Sequence, residues 1–424
     1  MSLARTAYEV ATSAAEPLFG LVMRSRLRRG KEVEGRVGER FARPHVPRPE
    51  GPLVWLHGAS IGETRLLLEL ARTLHAFRPG LHFLLTSQTV TAAGLIDRAI
   101  AQDPALKGRA LHQFAPLDSP AIARRFIGYW EPDAAIFAEG EIWPNLLKTL
   151  RRANIPTALV NARMTEKSLQ GWSRWAGLSR DLFGGFDVIL AADRRTADGL
   201  SALAGRTITS PGNLKAALPP PGHDADEEAA LRKTFVGDRQ CLVAISTHDG
   251  EEAFVLDALG LMTPKPACII VPRHPERAPD IVRRIEARGL SYARRSTGDT
   301  ATTSTDILLA DTLGEVGLFA RLADTVYLGG GHAPGVGGHN PIEIIRLGRA
   351  MATGPDVFNF DDAKRDLLGQ PGYTIVETPA DLATGFPFPA PAPQLIAEME
   401  STARAPMDAT VEALLPFLPQ ESRS

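Results

Sequence analysis

The feature that most limits how this chain can fold is a regular alternation of short apolar runs with amphipathic stretches. Between residues 52 and 203 the runs are LVWLH, HFLLT, LHQFA, AAIFA, TALVN and VILAA, and helical patterns lie near 63–77, 91–101, 119–129, 144–153 and 194–203. Strands that alternate with helices are typical of a parallel, doubly wound sheet. This part of the chain is therefore predicted to be an α/β domain.

A Pro-rich, acidic break at 211–228 interrupts the alternation, which then restarts with CLVAIS, ACIIVP, DILLA, TVYLG and AMATG. A chain of 424 residues is also too long for one ordinary core. We therefore expect two tandem Rossmann-like domains with parallel sheets and a cleft between them. The expected bounds are 1–47 for an N-terminal helical segment, 48–210 for the first domain, 211–228 for a linker and 229–424 for the second domain, although the last helical stretch, 393–417, could pack on either domain.

Composition narrows the class of function. The 47 Lys and Arg residues nearly balance the 49 Asp and Glu residues, so nothing in the charge indicates a nucleic-acid partner. Cys241 and Cys268 each lie in an apolar run, which predicts buried free thiols in a reducing compartment. The sequence has no CxxC or HExxH motif, so we expect no metal site. The glycine-rich segment 329–340 lacks both the dinucleotide fingerprint and the P-loop lysine.

The N-terminal segment departs from this soluble pattern. Residues 8–23 are fairly apolar, but Glu9 and Glu16 interrupt them, and the charge-free run is shorter than the roughly 20 residues that cross a bilayer. The basic residues that follow are Arg24, Arg26, Arg28, Arg29 and Lys31. Such a segment can lie on an anionic membrane surface. It can equally be a helix packed on the first domain with a solvated basic end.

Candidate site residues follow the strands, because open parallel sheets bind ligands outside the carboxyl ends of their strands. Glu63 comes three residues after Ser60 at a predicted helix start. That spacing predicts a capping box, in which the Glu63 carboxylate accepts the backbone N–H of Ser60. The alternative is a general base for an acceptor hydroxyl, and from this pattern alone the cap is favoured.

Two acids, Glu139 and Glu141, flank Gly140 at the end of another predicted strand. Alternation points both carboxylates to the same side, and close like charges raise one of the two pKa values, as acid–base chemistry often requires. One of them could instead cap the helix that opens at Trp143-Pro144. A cap needs only one acid, so the pattern favours a functional pair.

Three strand-to-helix junctions of the second half indicate a nucleotide site. They are Pro272-Arg273-His274-Pro275, Asp311-Thr312-Leu313-Gly314-Glu315 and Gly338-His339-Asn340-Pro341-Ile342-Glu343. Helix N-termini bind phosphate, and Arg273 would add a fixed positive charge. The alternative is a pair of capping boxes, with Thr312 and Asn340 as caps and Glu315 and Glu343 at the third helical positions.

Many of these segments together resemble the 3-deoxy-D-manno-octulosonic acid (Kdo) transferase family of lipopolysaccharide biosynthesis, inverting glycosyltransferases of the GT-B fold. The resemblance runs from about residue 17 to 365. It is carried by HGASIGE (57–63), TSQTVTAAG (86–94), PLDSP (116–120), EGEIWPN (139–145), NARMTEKS (161–168), GNLK (212–215), STHDGEE (246–252), PRHPER (272–277), DTLGE (311–315) and GGHNPIE (337–343). So many segments in family order make the resemblance specific.

The resemblance implies roles for individual residues. Glu63 takes the role of general base, which reverses the preference for a cap, while Glu139 and Lys215 match positions that stabilise the transition state. The matches to the CMP site are Pro272, Arg273, Leu313, Gly314, Glu315, Asn340, Pro341, Ile342 and Glu343. No metal and no cofactor are implied beyond the donor substrate, CMP-Kdo.

The resemblance also implies where the protein works and on what. The acceptor would be a lipid A precursor, and CMP would be released. The location would be the cytoplasmic face of the inner membrane, with the protein held peripherally or by its N-terminal segment on the anionic surface. This implied location favours the interpretation in which the basic N-terminal segment lies on a membrane surface. We make no prediction of the oligomeric state.

Some positions depart from the family pattern. Gly140 stands where the family usually has Thr or Ser, Leu313 stands where Met is common, and the 329–340 loop is richer in glycine. No departure removes a charged group, so only acceptor preference is in question. Two rival functions are a sugar-nucleotide epimerase on the same tandem fold, which would need no basic N-terminus, and a paralogue that binds CMP-sugar without transferring it. Retention of Glu63, Glu139 and Lys215 argues against the second rival.

Overall fold

The protein forms two compact units, each built on one parallel sheet, in a computed structural model that describes residues 3–220 and 222–419. The first unit comprises the described residues of Met1–Leu218 and Ala403–Ser424, and the second those of Pro219–Thr402. The strands are β1 Leu53–His57, β2 His82–Ser87, β3 Ala110–Phe114, β4 Ala134–Ala138, β5 Thr157–Ala162, β6 Val188–Ala191, β7 Cys241–Thr247, β8 Ala267–Pro272, β9 Tyr292–Arg294, β10 Ile307–Leu309, β11 Thr325–Leu328, β12 Ala350–Thr353 and β13 Tyr373–Ile375.

Helices connect the strands and cover both sheets. They are α1 Leu3–Arg28, α2 Val37–Arg40, α3 Ile61–Phe77, α4 Val90–Gln102, α5 Pro120–Trp130, α6 Pro144–Arg152, α7 Glu166–Ser173, α8 Ala176–Phe183, α9 Arg194–Ala204, α10 Ala225–Leu231, α11 Glu251–Leu261, α12 Ala278–Glu286, α13 Val316–Leu322, α14 Ile342–Arg346, α15 Asp361–Leu367, α16 Pro379–Gly385 and α17 Pro393–Leu414. The predicted α/β class with two parallel sheets is confirmed.

The first sheet has the strand order β3-β2-β1-β4-β5-β6, with all neighbours parallel. Side chains of a strand alternate between its two faces. In β1, Leu53 and Trp55 therefore enter one core cluster, and Val54 and Leu56 enter the cluster on the opposite face. Burial on both faces explains why the strands read as continuous apolar runs. The order reverses between β1 and β4, and a crevice at the carboxyl ends is expected at such a point.

The second sheet has the order β13-β12-β11-β7-β8-β10-β9 and is also parallel throughout. Its order reverses between β7 and β11. Cys241 in β7 and Cys268 in β8 are free and buried, which confirms the prediction. Burial raises the pKa of the Cys268 thiol to about 12, so this thiol stays protonated and unreactive at neutral pH.

The apolar runs recognised in the sequence are the strands β1–β8 and β10–β12. The two strands that the sequence analysis missed, β9 and β13, have three residues each and lie at the two edges of the second sheet. Such short edge strands bury few side chains, so they carry no apolar run.

The unit boundaries differ from the bounds expected from sequence. Leu214, within the expected linker, is buried in the core of the first unit, and α10 occupies 225–231. The residues from Ala403 onward, which were assigned to the second domain, belong to the first unit. Met407, Val411 and Leu414 of α17 pack with the α3 side of the first sheet. Their apolar spacing shows that this helix is amphipathic but not which core it covers.

The N-terminal helix α1 packs on the first unit through polar contacts. The Tyr8 hydroxyl donates to Asp118 at 3.0 Å, and the Ser119 hydroxyl donates to Glu16 at 2.6 Å. Packing on the first domain, one of the two interpretations of this segment, is therefore observed for one face of the helix. No helix in residues 3–220 and 222–419 is long and apolar enough to cross a membrane.

The packing of α17 predicts a specific loss of stability. Leu414 is 1% exposed in the core of the first unit, so Leu414→Ala should destabilise that unit by about 3 kcal/mol through lost burial and a cavity. All tryptophans lie in this unit, so tryptophan fluorescence during urea unfolding reports it alone. Glu412→Ala, at an exposed position of the same helix, should change the unfolding free energy by less than about 0.5 kcal/mol. Equal effects of the two substitutions would contradict this packing.

Candidate functional site

Glu63 lies at the start of α3, beside the point where the strand order of the first sheet reverses. The Ser60 side chain caps α3 by accepting the Glu63 N–H at 3.2 Å, as predicted. The Glu63 carboxylate accepts the Ala59 N–H at 2.8 Å and the Ser60 hydroxyl at 2.6 Å. The sequence predicted that this carboxylate accepts the Ser60 N–H, but it accepts the N–H of the preceding residue, Ala59. Glu63 is 7% exposed, held by its own loop.

Two glycines allow this loop to form. A Cβ on Gly58 would lie 2.9 Å from the Glu63 Cβ, closer than real Cβ contacts allow. A Cβ on Gly62 would lie 3.3 Å from the Lys215 Nζ, so the lysine ammonium lies against the backbone next to Glu63. The small residues of HGASIGE thus bring Lys215 to the Glu63 loop.

Lys215 forms an ion pair with Glu139, with 2.5 Å between Nζ and Oε1. Asn161, near the end of β5, bonds to Glu139 and to the backbone next to Lys215. Its amide donates to Glu139 Oε1 at 3.3 Å, and its carbonyl oxygen accepts the Leu214 N–H at 2.9 Å. Glu139 and Asn161 both adopt left-handed backbone conformations, with φ of 55° and 51°. Residues held in this region often lie at functional sites. The three predicted catalytic residues, Glu63, Glu139 and Lys215, are therefore grouped in one place.

Glu141 does not share a site with Glu139 as a like-charged pair. Its carboxylate contacts His57 Nε2 at 3.1 Å and accepts the Trp143 indole N–H at 2.9 Å. Burial opposes ionisation of Glu141, but the hydrogen bond and charge of His57 and the Trp143 bond outweigh it, so its pKa lies below the usual range. The sequence predicted that close like charges would raise the pKa of one of the two acids. For Glu141 this direction is wrong, because Glu139 and Glu141 each bind a partner of their own.

Neither acid caps α6, the alternative that the sequence left open. Pro144 occupies the first turn, and the N-cap residue, Trp143, makes no side-chain capping bond. Asp118 from another loop accepts the N–H groups of Asn145 at 3.2 Å and Leu146 at 2.9 Å. This cap is supplied across the fold, so local spacing could not identify it.

In the second unit, the predicted residues follow β8, β10 and β11. Pro272 ends β8 and is buried, whereas Arg273 is exposed. Among the described residues the Arg273 guanidinium has no hydrogen-bond or ion-pair partner, so it can bind an anion without breaking an existing contact. Leu313 is 81% exposed, and Gly314 has φ of 90°. An apolar side chain held in water at a loop tip is suited to packing on a ligand.

Glu315 is held by Arg295 rather than by a capping box. The Arg295 guanidinium contacts Oε1 of Glu315 at 2.6 Å and Oε2 at 3.3 Å, and the Thr312 hydroxyl donates to Oε2. Helix α13 begins at Val316, so Glu315 is the N-cap residue and the predicted box is wrong. Burial works against ionisation of Glu315, but the Arg295 and Thr312 bonds outweigh it and lower its pKa. Arg295 also pairs with Glu227 of α10.

The last junction is partly as predicted. Asn340 Oδ1 accepts the Ile342 N–H at 3.1 Å, and its amide contacts Glu343 at 3.4 Å. Pro341 is the N-cap residue of α14, which has only five residues. This group follows β11, and Glu315 follows β10, three strands away in the sheet. Neighbouring strands lie about 4.8 Å apart, so three strand spacings separate the two groups. Both groups lie at the carboxyl edge of the sheet without touching each other.

Four residues that organise these sites have no role predicted from the sequence. They are His57, Asn161, Glu251 and Arg295, and the first three lie in family-like segments whereas Arg295 lies in none. Glu251 is 1% exposed and accepts the N–H groups of His248, Gly330 and His332 at 2.9, 2.8 and 3.0 Å. His57 ends β1 and Asn161 is the last but one residue of β5, so their position was the available signal. Among residues 3–220 and 222–419, no group of three or more His, Cys, Asp or Glu side chains could hold a metal ion.

Known proteins are similar to this chain over most of its length. A sequence model of the family described as 3-deoxy-D-manno-octulosonic-acid transferase (kdotransferase) matches residues 35–218. The chain is 34% identical to the 3-deoxy-D-manno-octulosonic acid transferase of Bordetella pertussis over 383 residues, covering 86% of each chain. It is also 34% identical to the probable mitochondrial 3-deoxy-D-manno-octulosonic acid transferase of Arabidopsis thaliana, covering 83% of this chain and 80% of the relative.

A solved structure supports the fold assignment independently. The glycosyltransferase of Rickettsia africae ESF-5 aligns with a TM-score of 0.51 at 11% identity, covering 87% of this chain and 95% of that chain. At this identity the likeness shows only the fold, which is GT-B. The two relatives show the family directly, because their identity exceeds 30% over more than two thirds of the chain. The chain therefore belongs to the Kdo transferase family and is a glycosyltransferase.

Proposed function

We propose that this enzyme transfers Kdo from CMP-Kdo to a lipid A precursor and releases CMP, with inversion at the anomeric carbon. The observation that carries the proposal is the grouping of Glu63 with the Glu139–Lys215 ion pair where the order of the first sheet reverses. This group combines a carboxylate that can take a proton with an ammonium that can stabilise negative charge. Family membership supplies the substrate class.

The second unit offers the groups that a cytidine monophosphate sugar needs. The Arg273 guanidinium, which has no partner within residues 3–220 and 222–419, matches a phosphate in charge and geometry. The carboxylates of Glu315 and Glu343 can accept ribose or base donors, and the Arg295 contact keeps Glu315 ionised for that purpose. The exposed Leu313 can pack against the nucleotide. We propose that this unit binds the donor, and that the reaction uses no cofactor beyond it.

The chemistry is one displacement at a ketose carbon that also bears a carboxylate. A glucosamine hydroxyl of the acceptor attacks that carbon, its oxygen forms the new bond, and the bond from carbon to the phosphate oxygen breaks. Glu63 takes the hydroxyl proton. A carboxylate oxygen accepts more than one hydrogen bond, so Glu63 can do this while still holding the Ala59 and Ser60 groups.

Charge stabilisation in this scheme comes from fixed groups. Lys215 neutralises charge that develops on the leaving group or on the sugar carboxylate. Glu139 and Asn161 hold Lys215 and its loop, so the ammonium does not have to be ordered during the reaction. Single displacement from the face opposite the leaving group accounts for the proposed inversion.

The surface of α1 supports a location on the cytoplasmic face of the inner membrane. Val10, Leu18, Leu21 and Val22 are exposed on this helix, although its other face packs on the first unit. The exposed basic residues beside them are Arg24, Arg28, Arg29 and Lys31. Apolar side chains next to basic ones favour binding to an anionic lipid surface. A peripheral enzyme held in this way would meet its lipid acceptor at the surface.

The base assignment has a direct test. In Glu63→Gln, the formation of Kdo-modified lipid from CMP-Kdo and a tetra-acylated lipid A precursor should fall by about 100-fold or more, because an amide cannot take the proton. Mass spectrometry of the lipid product measures the effect. CMP affinity should persist, since Glu63 does not belong to the proposed donor site.

The matched control removes a capping carboxylate elsewhere in the first unit. Asp193 caps α9 by accepting the Thr196 N–H at 2.8 Å. Asp193→Ala should therefore retain transfer while losing about 1 kcal/mol of stability. Full turnover by Glu63→Gln, or an equal loss in both variants, would refute the role of Glu63 as base.

A second test concerns Arg295 as a positioning residue for the donor. Arg295→Met removes the partner that orients Glu315, so CMP affinity should fall by about tenfold. Glu227→Gln removes the other partner of Arg295 without touching Glu315 and should leave CMP affinity nearly unchanged. Calorimetric titration of the full-length variants with CMP measures both. If the two variants bound CMP equally, Arg295 would have no positioning role.

A further inference from the structure

Two histidines meet where the strand order of the second sheet reverses. His248 directly follows β7, and His339 lies in the glycine-rich loop that follows β11. Their Nε2 atoms are 2.9 Å apart, and the rings meet edge to edge with centroids 5.2 Å apart and planes within 12° of parallel. Ligands of open parallel sheets bind in the crevice at such reversal points. Nothing in the proposed function so far uses this pair.

The bond between the rings determines how many protons the pair can hold. One Nε2 must donate and the other accept, so the bonded pair carries at most one positive charge. The two Nδ1 atoms have no hydrogen-bond partner among the described residues. When the pair gains one proton, both Nδ1 atoms carry hydrogen and both can donate. A singly protonated pair therefore presents two donors and one positive charge.

A buried carboxylate fixes the two loops relative to each other. Glu251 accepts the His248 N–H from one loop and the Gly330 N–H from the other. A Cβ on Gly329 would lie 2.5 Å from the Ser246 carbonyl oxygen, and one on Gly330 would lie 3.1 Å from the His339 ring. The glycine-rich segment, which matched no phosphate-binding motif, is thus required for the close approach of His339 to His248.

Charged groups around the pair favour an anion. Arg273 and His274 lie on the neighbouring loop, and the His274 ring contacts the His248 ring edge-on with centroids 5.8 Å apart. Burial lowers the pKa values of His248 and His339, and the charge of Arg273 lowers both further. The charge of Glu251 opposes these effects at both rings, and that of Glu252 opposes them at His248 alone. The pair is therefore neutral at neutral pH without ligand, and a bound anion would favour its protonation.

We infer that His248 and His339, together with Arg273, form an oxyanion-binding subsite that takes up a proton when the donor binds. The oxyanion is either the phosphate of the nucleotide or the carboxylate of the sugar. This inference rests on the proposed function, because it assigns the donor to the second unit. It adds two residues and a proton to that site.

The test is calorimetric titration of the full-length protein at pH 7 in two buffers of different ionisation enthalpy, with cytidine, CMP and CMP-Kdo as ligands. The wild-type protein should take up more protons than His248→Ala or His339→Ala with the same ligand, so protonation of the ligand itself cancels in the comparison. Both variants should lose about tenfold in affinity for CMP-Kdo, and also for CMP if the bound oxyanion is the phosphate. Cytidine has no anion, so its unchanged affinity would show that each variant retains its nucleoside site.

The ligands separate the two sources of the oxyanion. A loss already seen with CMP assigns the subsite to the phosphate, and a loss seen only with CMP-Kdo assigns it to the sugar carboxylate. His223→Ala, which removes a histidine that contacts Glu228 elsewhere in the same unit, should change neither affinity nor proton uptake.

Three negative results are distinguishable. If the wild-type protein binds CMP and CMP-Kdo and both histidine variants match it in affinity and proton uptake with both ligands, the subsite is overturned and the proposed function stands. The subsite is also overturned if a variant loses cytidine and CMP affinity equally, because its role is then structural. If the wild-type protein binds neither CMP nor CMP-Kdo, the proposed function fails and the subsite fails with it.

Discussion

Parallel strands whose order reverses once are the constraint on which both candidate sites depend. Where the order reverses, the connections on the two sides leave toward opposite faces of the sheet, so the loops after the two central strands separate and leave a crevice. In the first unit those strands are β1 and β4, and they are followed by the Glu63 loop and by Glu139. In the second unit they are β7 and β11, followed by His248 and by the glycine-rich loop. The predicted catalytic residues of the first unit are therefore grouped at one point of its sheet, whereas the predicted donor residues of the second unit follow β8, β10 and β11.

Carboxylates bonded to backbone N–H groups give these crevices a fixed shape. Glu63 holds its own loop, and Glu251 holds two loops together. A buried carboxylate is tolerated only when hydrogen bonds replace its lost hydration, and these backbone donors provide that replacement. Such contacts are formed before substrate binds, so the ordering of the loops does not oppose the binding of substrate.

The charged groups of the two sites divide into paired and unpaired ones. Lys215 with Glu139, and Arg295 with Glu315, are fixed pairs, which set position and protonation state. Arg273 is exposed and has no partner in the part of the chain that the structure describes, and His248 and His339 can change charge. The fixed pairs orient the site, whereas Arg273 and the two histidines can respond to an anionic ligand. This division suits the proposed reaction, in which the leaving group is charged.

The sequence by itself determined the α/β class, the two sheets, nearly all strands and the family, because each of these depends on local apolar periodicity or on contiguous motifs. It also located the Ser60 cap, which joins residues three apart. The tertiary structure decided the features that join distant residues: the partners of Glu141 and Glu315, the Asp118 cap on α6, the unit to which the end of α17 belongs, and the contact of His248 with His339. A carboxylate bonds to whichever donor the fold brings within about 3 Å, and spacing along the chain does not specify that donor.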